Sequence, residues 1–264
     1  MERRAFLTRS VGTGAIVAVA SQALMPTMAR GSDFSHFNID GALVLHAYRG
    51  LVEEHLGGSL RTLKSLAVTS DAQRADWDTI KPALVSMKAD LATAATIWLA
   101  QPDGSYATTE MGPTSQNLKD RAYFSKVLAG RDEVGSLVVS KSTGVRSTIV
   151  ATPVLRQGQV VALLGASLDA GRLSQLVIDR VGMPESLTFY ALDAHGQTAI
   201  HKDPTKMFQF PSDMGSPSLS SAVQIILLQP NGMAYYEFEG IGRKAIFDTS
   251  ELTGWHFVLA QQAN

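Results

Sequence analysis

The sequence predicts an α+β fold: a long N-terminal helix followed by two tandem antiparallel-sheet modules. Three observations predict it. Between Asn38 and Val68, the residues Tyr48, Leu51, Val52, Leu56, Leu60, Leu63 and Leu66 recur at three- and four-residue steps and form one apolar stripe. Between Thr96 and Leu168, five short segments of strand character are joined by turn residues, with one helix inserted among them. From Leu187 the same order begins again, which reads as a weak internal duplication.

The 264 residues suffice for one large domain or two small ones. A net charge of −1, with basic residues scattered rather than clustered, gives no pull towards nucleic acid or acidic membranes. There is no cysteine, so disulfides and thiol chemistry are excluded and the fold must be held by its core. The N-terminus reads as a targeting segment. Arg3-Arg4-Ala5-Phe6-Leu7 precedes a mildly apolar run from Val11 to Met25, then Thr27-Met28-Ala29 in small-x-small form. Paired arginines ahead of Phe-Leu resemble a twin-arginine export signal. Residues 1–29 are therefore expected to be a signal peptide and the mature protein periplasmic. The run falls short of the roughly 20 apolar residues that span a bilayer comfortably, and no other segment reaches that length.

Residues 30–37 are polar and read as a loose leader to the long helix, the two together covering 30–69. At 1.5 Å per residue the helix runs roughly 45 Å, long enough to lie along two stacked modules, with Gly57-Gly58 marking a bend. A second helix follows Ser70-Asp71 and buries Trp77, Ile80, Leu84, Met87 and Leu91. Strand character starts at Thr96, turns at Pro102-Asp103-Gly104 and returns over 105–110. Gly112-Pro113 opens a loop to a short helix over Asp120–Ala129, which Gly130 terminates. Strands over 135–140, 146–154 and 159–168 complete the first module, placed at 70–180 with a linker helix that ends at Gly182. A smaller second module, 181–264, starts with Leu187–Ile200, which parallels Ala95–Ala107 as strand, turn and strand. A polar loop, a helix over Leu219–Leu228 and strands near 232–239, 243–248 and 255–261 follow.

Arg121, Tyr123 and Phe124 are the first candidates for binding chemistry. A guanidinium presents a planar fork of donors that matches a carboxylate, and an adjacent ring can wall off water. The competing reading pairs Arg121 with Asp120 or Asp132 at the surface and leaves Tyr123 and Phe124 as core. His195 and His201, flanked by Asp193 and Asp203, are six residues apart, but the Gly196 turn lies between them and no third histidine is near. No metal or cofactor is expected. The motifs of serine hydrolases, phosphate loops, zinc proteases and dinucleotide folds are all missing.

The order of elements, with Asp120-Arg121-Ala122-Tyr123-Phe124 opening the inserted helix and Gln159–Leu173 closing the sheet, resembles the extracytoplasmic Cache sensor domain. The resemblance covers about residues 38–261. It implies a long helix packed along two tandem PAS-like antiparallel-sheet modules, and a protein that binds rather than catalyses. It implies a pocket in the first module anchored by Arg121 and lined by Trp98, Tyr123, Phe124 and Ser167. Lys141 would supply a second positive charge, or else be a solvated turn lysine. The amino-acid-binding subclass of the family has a tyrosine where this chain has Gln116, and an amine-binding aspartate about where it has Ser167. Asp169 could rescue an amine or cap the following helix. A buried ammonium without a carboxylate is costly, so the departures favour an organic acid or another neutral or anionic solute.

Relatives usually continue into a membrane helix and an output domain, whereas this sequence shows neither before Asn264. The expectation is a small-molecule binder for sensing or solute capture that works through a membrane receptor or histidine kinase. The alternatives are an exported hydrolase-type enzyme on an α+β fold, or an interaction module without a ligand.

Overall fold

The apolar stripe folds as one helix, α1 (Gly41–Ala67), opened by the Asp40 carboxylate, which accepts from the Ala42 amide. The computed structural model describes residues 40–263. The expected signal peptide over 1–29 and leader over 30–37 lie outside the described residues. Helical hydrogen bonding runs through Gly57-Gly58 without a break. The low helix propensity of two glycines is outweighed by the buried Val52, Leu56 and Leu63 on either side. Each such side chain, fully buried, contributes about 1.5–3 kcal/mol.

The second helix is two helices. Ser70–Gln73 forms a single turn, α2, and Trp77–Asp90 forms α3. Ala75 takes a left-handed backbone (φ 55°) that ends the first, and Asp76 caps the second by accepting from the Thr79 amide at 2.9 Å.

The first sheet has six strands: β1 (Ala94–Ala100), β2 (Ser105–Thr108), β3 (Gly112–Asn117), β4 (Glu133–Val139), β5 (Arg146–Arg156) and β6 (Gln159–Asp169). They lie antiparallel in the order β3-β2-β1-β6-β5-β4. Helix α4 (Ala122–Leu128) is inserted between β3 and β4, and α5 (Ala170–Val181) follows β6. β3 was expected to be loop. It is an edge strand, where Pro113 and a polar sequence are tolerated. α5 ends at Gly182 in the left-handed region, as the sequence indicates.

The second sheet has five strands: β7 (Leu187–Leu192), β8 (Thr198–His201), β9 (Asn231–Phe238), β10 (Ile241–Thr249) and β11 (His256–Gln262), with α6 (Pro217–Leu228) between β8 and β9. Their order is β8-β7-β11-β10-β9. In both sheets the last strand lies beside the first, and a helix is inserted after the opening hairpin. The duplication faintly visible in sequence is thus a duplication of topology.

Side-chain alternation divides each sheet between two cores. Ile97, Leu99, Val150, Leu164 and Ala166 of the first sheet, with Phe189, Ala191, Phe257 and Leu259 of the second, share one core with the stripe of α1. The helix therefore lies along both sheets. Tyr48 is its central anchor: the ring packs 5.2 Å from both Phe189 and Phe257, and the hydroxyl donates to the Tyr190 carbonyl at 2.6 Å. Where β4 meets the start of β11, the buried Trp255 indole donates to the Gly135 carbonyl at 2.9 Å, joining the two sheets directly. The opposite face of the first sheet carries Trp98, Ala100, Ile149, Ala151 and Leu163 against Tyr123, Phe124 and Val127 of α4.

Candidate functional site

The candidate site is built where α4 begins. Arg121 occupies the N-cap position with extended backbone (φ −79°, ψ 131°), and its side chain makes no cap hydrogen bond. The guanidinium instead reaches across and donates to the Val139 carbonyl at 2.7 Å. One residue into the helix, Tyr123 turns its ring towards Trp98, with centroids 6.1 Å apart. Trp98 stands on β1 directly opposite Gly165 of β6. A Cβ on Gly165 would lie 2.1 Å from the indole, so the missing side chain is the slot that admits the ring. The indole N–H then points along β6 and donates to the Ser167 hydroxyl at 3.3 Å.

Five of the six residues named from sequence, Trp98, Arg121, Tyr123, Lys141 and Ser167, line one cavity of about 20 Å³. Phe124 does not. It is the next residue of a helix and so points about 100° away from Tyr123, fully buried in the apolar cluster with Trp98, Leu163 and Val127. The cavity wall also contains Tyr106, Leu118, Ile149 and Ser140. Ile149 was recoverable only with the strand register, since it pairs with Ser167 across β5 and β6. Tyr106 stands on the return strand of the hairpin and supplies a phenol from there, whereas Gln116 is exposed on β3 and does not line the cavity. Asp169 is also elsewhere: its carboxylate caps α5, accepting from Gly171 at 2.8 Å and Arg172 at 3.2 Å.

The charges are distributed unlike a surface ion-pair network. Asp120 pairs with Lys141 at 2.6 Å, and Asp132 with Lys64 at 2.7 Å, so neither is the partner of Arg121. Among the described residues Arg121 has no carboxylate partner. Lys141 is not a free turn lysine, because its ammonium also donates to the Asn117 carbonyl at 2.6 Å. The side chains lining the cavity include two cations and no carboxylate. Burial raises the Tyr123 phenol well above its ordinary range, so it is present as a hydrogen-bonding hydroxyl.

The two histidines singled out in sequence part company. His195 is exposed on the turn after β7, and His201 stacks on Tyr190 at 5.8 Å while its Nδ1 accepts from the Asp203 amide at 2.7 Å. Burial lowers the His201 pKa to about 4. A neutral imidazole in the fold and a protonatable one in the unfolded chain make stability present above about pH 6.5 and progressively lost as pH falls through 4. From this group alone the loss reaches about 3 kcal/mol. Urea midpoints should fall over that window in the wild type, and His201→Gln should flatten the fall; an unchanged slope in the variant assigns the acid sensitivity to other groups.

A family model described as Cache domain matches residues 40–264. No curated protein matches in sequence. Many solved structures are similar in fold, among them the following three. The ligand-binding domain of the Pseudomonas aeruginosa PAO1 amino acid chemoreceptor PctB, in complex with L-Arg, is 16% identical, with a TM-score of 0.66 over 84% of this chain and 93% of that chain. The sensory domain of the Campylobacter jejuni chemoreceptor Tlp3 with isoleucine bound is 13% identical, with a TM-score of 0.61 over 83% of this chain and 90% of that chain. The extracellular domain of a proposed histidine kinase is 13% identical, with a TM-score of 0.67 over 84% of this chain and 94% of that chain. Among the described residues no helix is long and apolar enough to cross a membrane.

Proposed function

This chain belongs to the Cache domain family, and on that premise we propose that it captures a small organic acid outside the cytoplasm, in the cavity between α4 and the first sheet, without transforming it. The observation that carries the reading is the charge of the cavity wall: Arg121 and Lys141 face it and no carboxylate does. A carboxylate bound there gains charge-assisted hydrogen bonds from a guanidinium that has a single backbone carbonyl as its hydrogen-bond acceptor. The phenols of Tyr106 and Tyr123 and the indole of Trp98 supply the apolar walls and polar tips that small-ligand sites use.

The similar chemoreceptor domains hold L-Arg and isoleucine. The lining of the present cavity carries no carboxylate to receive an ammonium group, and burying one unpaired is costly. That favours acids that lack an α-amine. Export is supported by the paired arginines ahead of a mildly apolar run at the N-terminus. The similar domains are parts of a chemoreceptor and of a proposed histidine kinase, and a membrane receptor or histidine kinase is the partner class that we propose.

A cavity of about 20 Å³ holds no more than one water. Capture therefore requires α4 and the β4–β5 turn to separate, and the ligand selects the open arrangement by its differential affinity for it. The test is thermal denaturation with a panel of organic acids, their α-amino counterparts, amines and purines. At a hundred times its dissociation constant, a true ligand adds about 2.7 kcal/mol. Arg121→Ala should lose that gain and keep the ligand-free midpoint. An equal response in variant and wild type rejects Arg121 as the anchor, and a panel in which amino acids outperform their deaminated counterparts rejects the preference for plain acids.

A further inference from the structure

Both cations of the cavity wall are already engaged, and by the same two segments. Lys141 donates to the Asn117 carbonyl and the Asp120 carboxylate, each at 2.6 Å, while Arg121 donates to the Val139 carbonyl at 2.7 Å. These three hydrogen bonds stitch residues 117–121, between β3 and α4, to residues 139–141, at the end of β4. Leu118, Arg121, Ser140 and Lys141 from the two segments all line the cavity, so the stitching closes over it. The two ends of the Asp120–Lys141 pair differ in accessibility: the Asp120 side chain is 68% exposed and that of Lys141 only 22%. The carboxylate thus approaches a sheltered ammonium from the solvent side. The hydrogen bond with Lys141 lowers the Asp120 pKa, which keeps the carboxylate charged and in competition through the neutral range.

We propose that Asp120 is a built-in competitor for the ligand: in the closed site its carboxylate takes the place on Lys141 that a second acid group of the ligand occupies in the open one. This rests on the reading of the cavity as a carboxylate site and deepens it to diacids, with one carboxylate on Arg121 and the other on Lys141. A monoacid needs only Arg121, and once the site has opened the mostly exposed Asp120 side chain re-forms its pair with Lys141. A diacid displaces Asp120, which swings into solvent at little cost because it is already mostly exposed. Exposed ion pairs are weak, and charge-assisted hydrogen bonds somewhat stronger. Freeing Lys141 from its competitor therefore strengthens diacid binding by about three- to tenfold.

The experiment compares chain-length-matched probes, succinate with butyrate and glutarate with pentanoate, by calorimetric titration of the full chain. Wild type, Asp120→Asn and Lys141→Met are measured side by side. Asp120→Asn should tighten a diacid by about three- to tenfold and leave the matched monoacid within twofold. Lys141→Met should remove the diacid's advantage over the monoacid. Asp120 lies on the surface, so its variant should keep the wild-type thermal midpoint. Diacid affinity unchanged or weakened in Asp120→Asn overturns the competitor role, as does a panel in which monoacids bind and no diacid does. In that last case the carboxylate reading survives, because it stands on the response of Arg121→Ala. Loss of that response to every acid would strike the underlying reading itself.

Discussion

Gly165→Ala should destabilise the protein by about 3 kcal/mol or more, the upper range for overpacking a core, and should abolish any ligand response. The added Cβ would sit 2.1 Å from the Trp98 indole, with two further ring atoms within 2.5 Å. The ring has nowhere to retreat, because Tyr123, Phe124 and Leu163 are buried around it in the same cluster. The backbone cannot yield easily either, since Trp98 and Gly165 are paired residues in the middle of the sheet, with β1 and β6 registered on either side of them. For a fold of this size the loss corresponds to a fall in melting temperature of roughly 6–12 °C. A double-mutant cycle gives the cause. Trp98→Leu costs stability by itself, through lost packing and the lost donor to Ser167. Combined with Gly165→Ala it should cost clearly less than the sum of the two. Strict additivity would mean that the glycine is needed for another reason.

Gly135→Ala should be comparably severe for a different reason. Gly135 lies on β4 at φ 105°, a backbone that L side chains rarely adopt, and an added Cβ would meet Thr253 and the Trp255 indole nitrogen at 3.0 Å. The substitution therefore combines backbone strain, crowding and disturbance of the buried hydrogen bond from Trp255 to the Gly135 carbonyl. Together these amount to about 3–5 kcal/mol. The contact joins the first sheet to the second, so the loss should appear in both. Hydrogen exchange should quicken in β4 and also in β10 and β11. Faster exchange confined to β4 would contradict the view that this contact couples the sheets.

These two glycines illustrate what the sequence conceals. The long helix was legible because Tyr48, Val52, Leu56 and Leu63 repeat with the period of an α-helix and because burial of that stripe is what holds it. The linker helix was legible from its Gly182 stop and from Asp169, one of whose two sequence readings was the cap that it forms at the start. β3 was missed because Gly-Pro-Thr-Ser-Gln-Asn has no apolar alternation; an edge strand facing solvent needs none. The break at Ala75 was missed because a left-handed alanine leaves no compositional trace.

For the site, the segment Asp120–Phe124 was conspicuous as a charged residue followed by rings. Trp98, Lys141 and Ser167 could be placed beside it only through a family likeness, since sequence alone does not state that β6 lies between β1 and β5. Phe124 was grouped with Tyr123 because adjacent aromatic residues look alike in a string, whereas helical geometry sends them in different directions. Tyr106 was passed over for lack of any local mark. The engagement of Lys141 by Asp120 depends on a contact across 21 positions, which no local pattern records.

The most direct test of the account is a crystal structure grown with the acid that produces the largest thermal shift. The account predicts an enlarged cavity beneath α4, with a ligand carboxylate about 3 Å from the Arg121 guanidinium and the Val139 carbonyl released from it. An acid found instead in another groove, such as the one that His55 and Arg180 line, with the Arg121 contact to Val139 undisturbed, would contradict it.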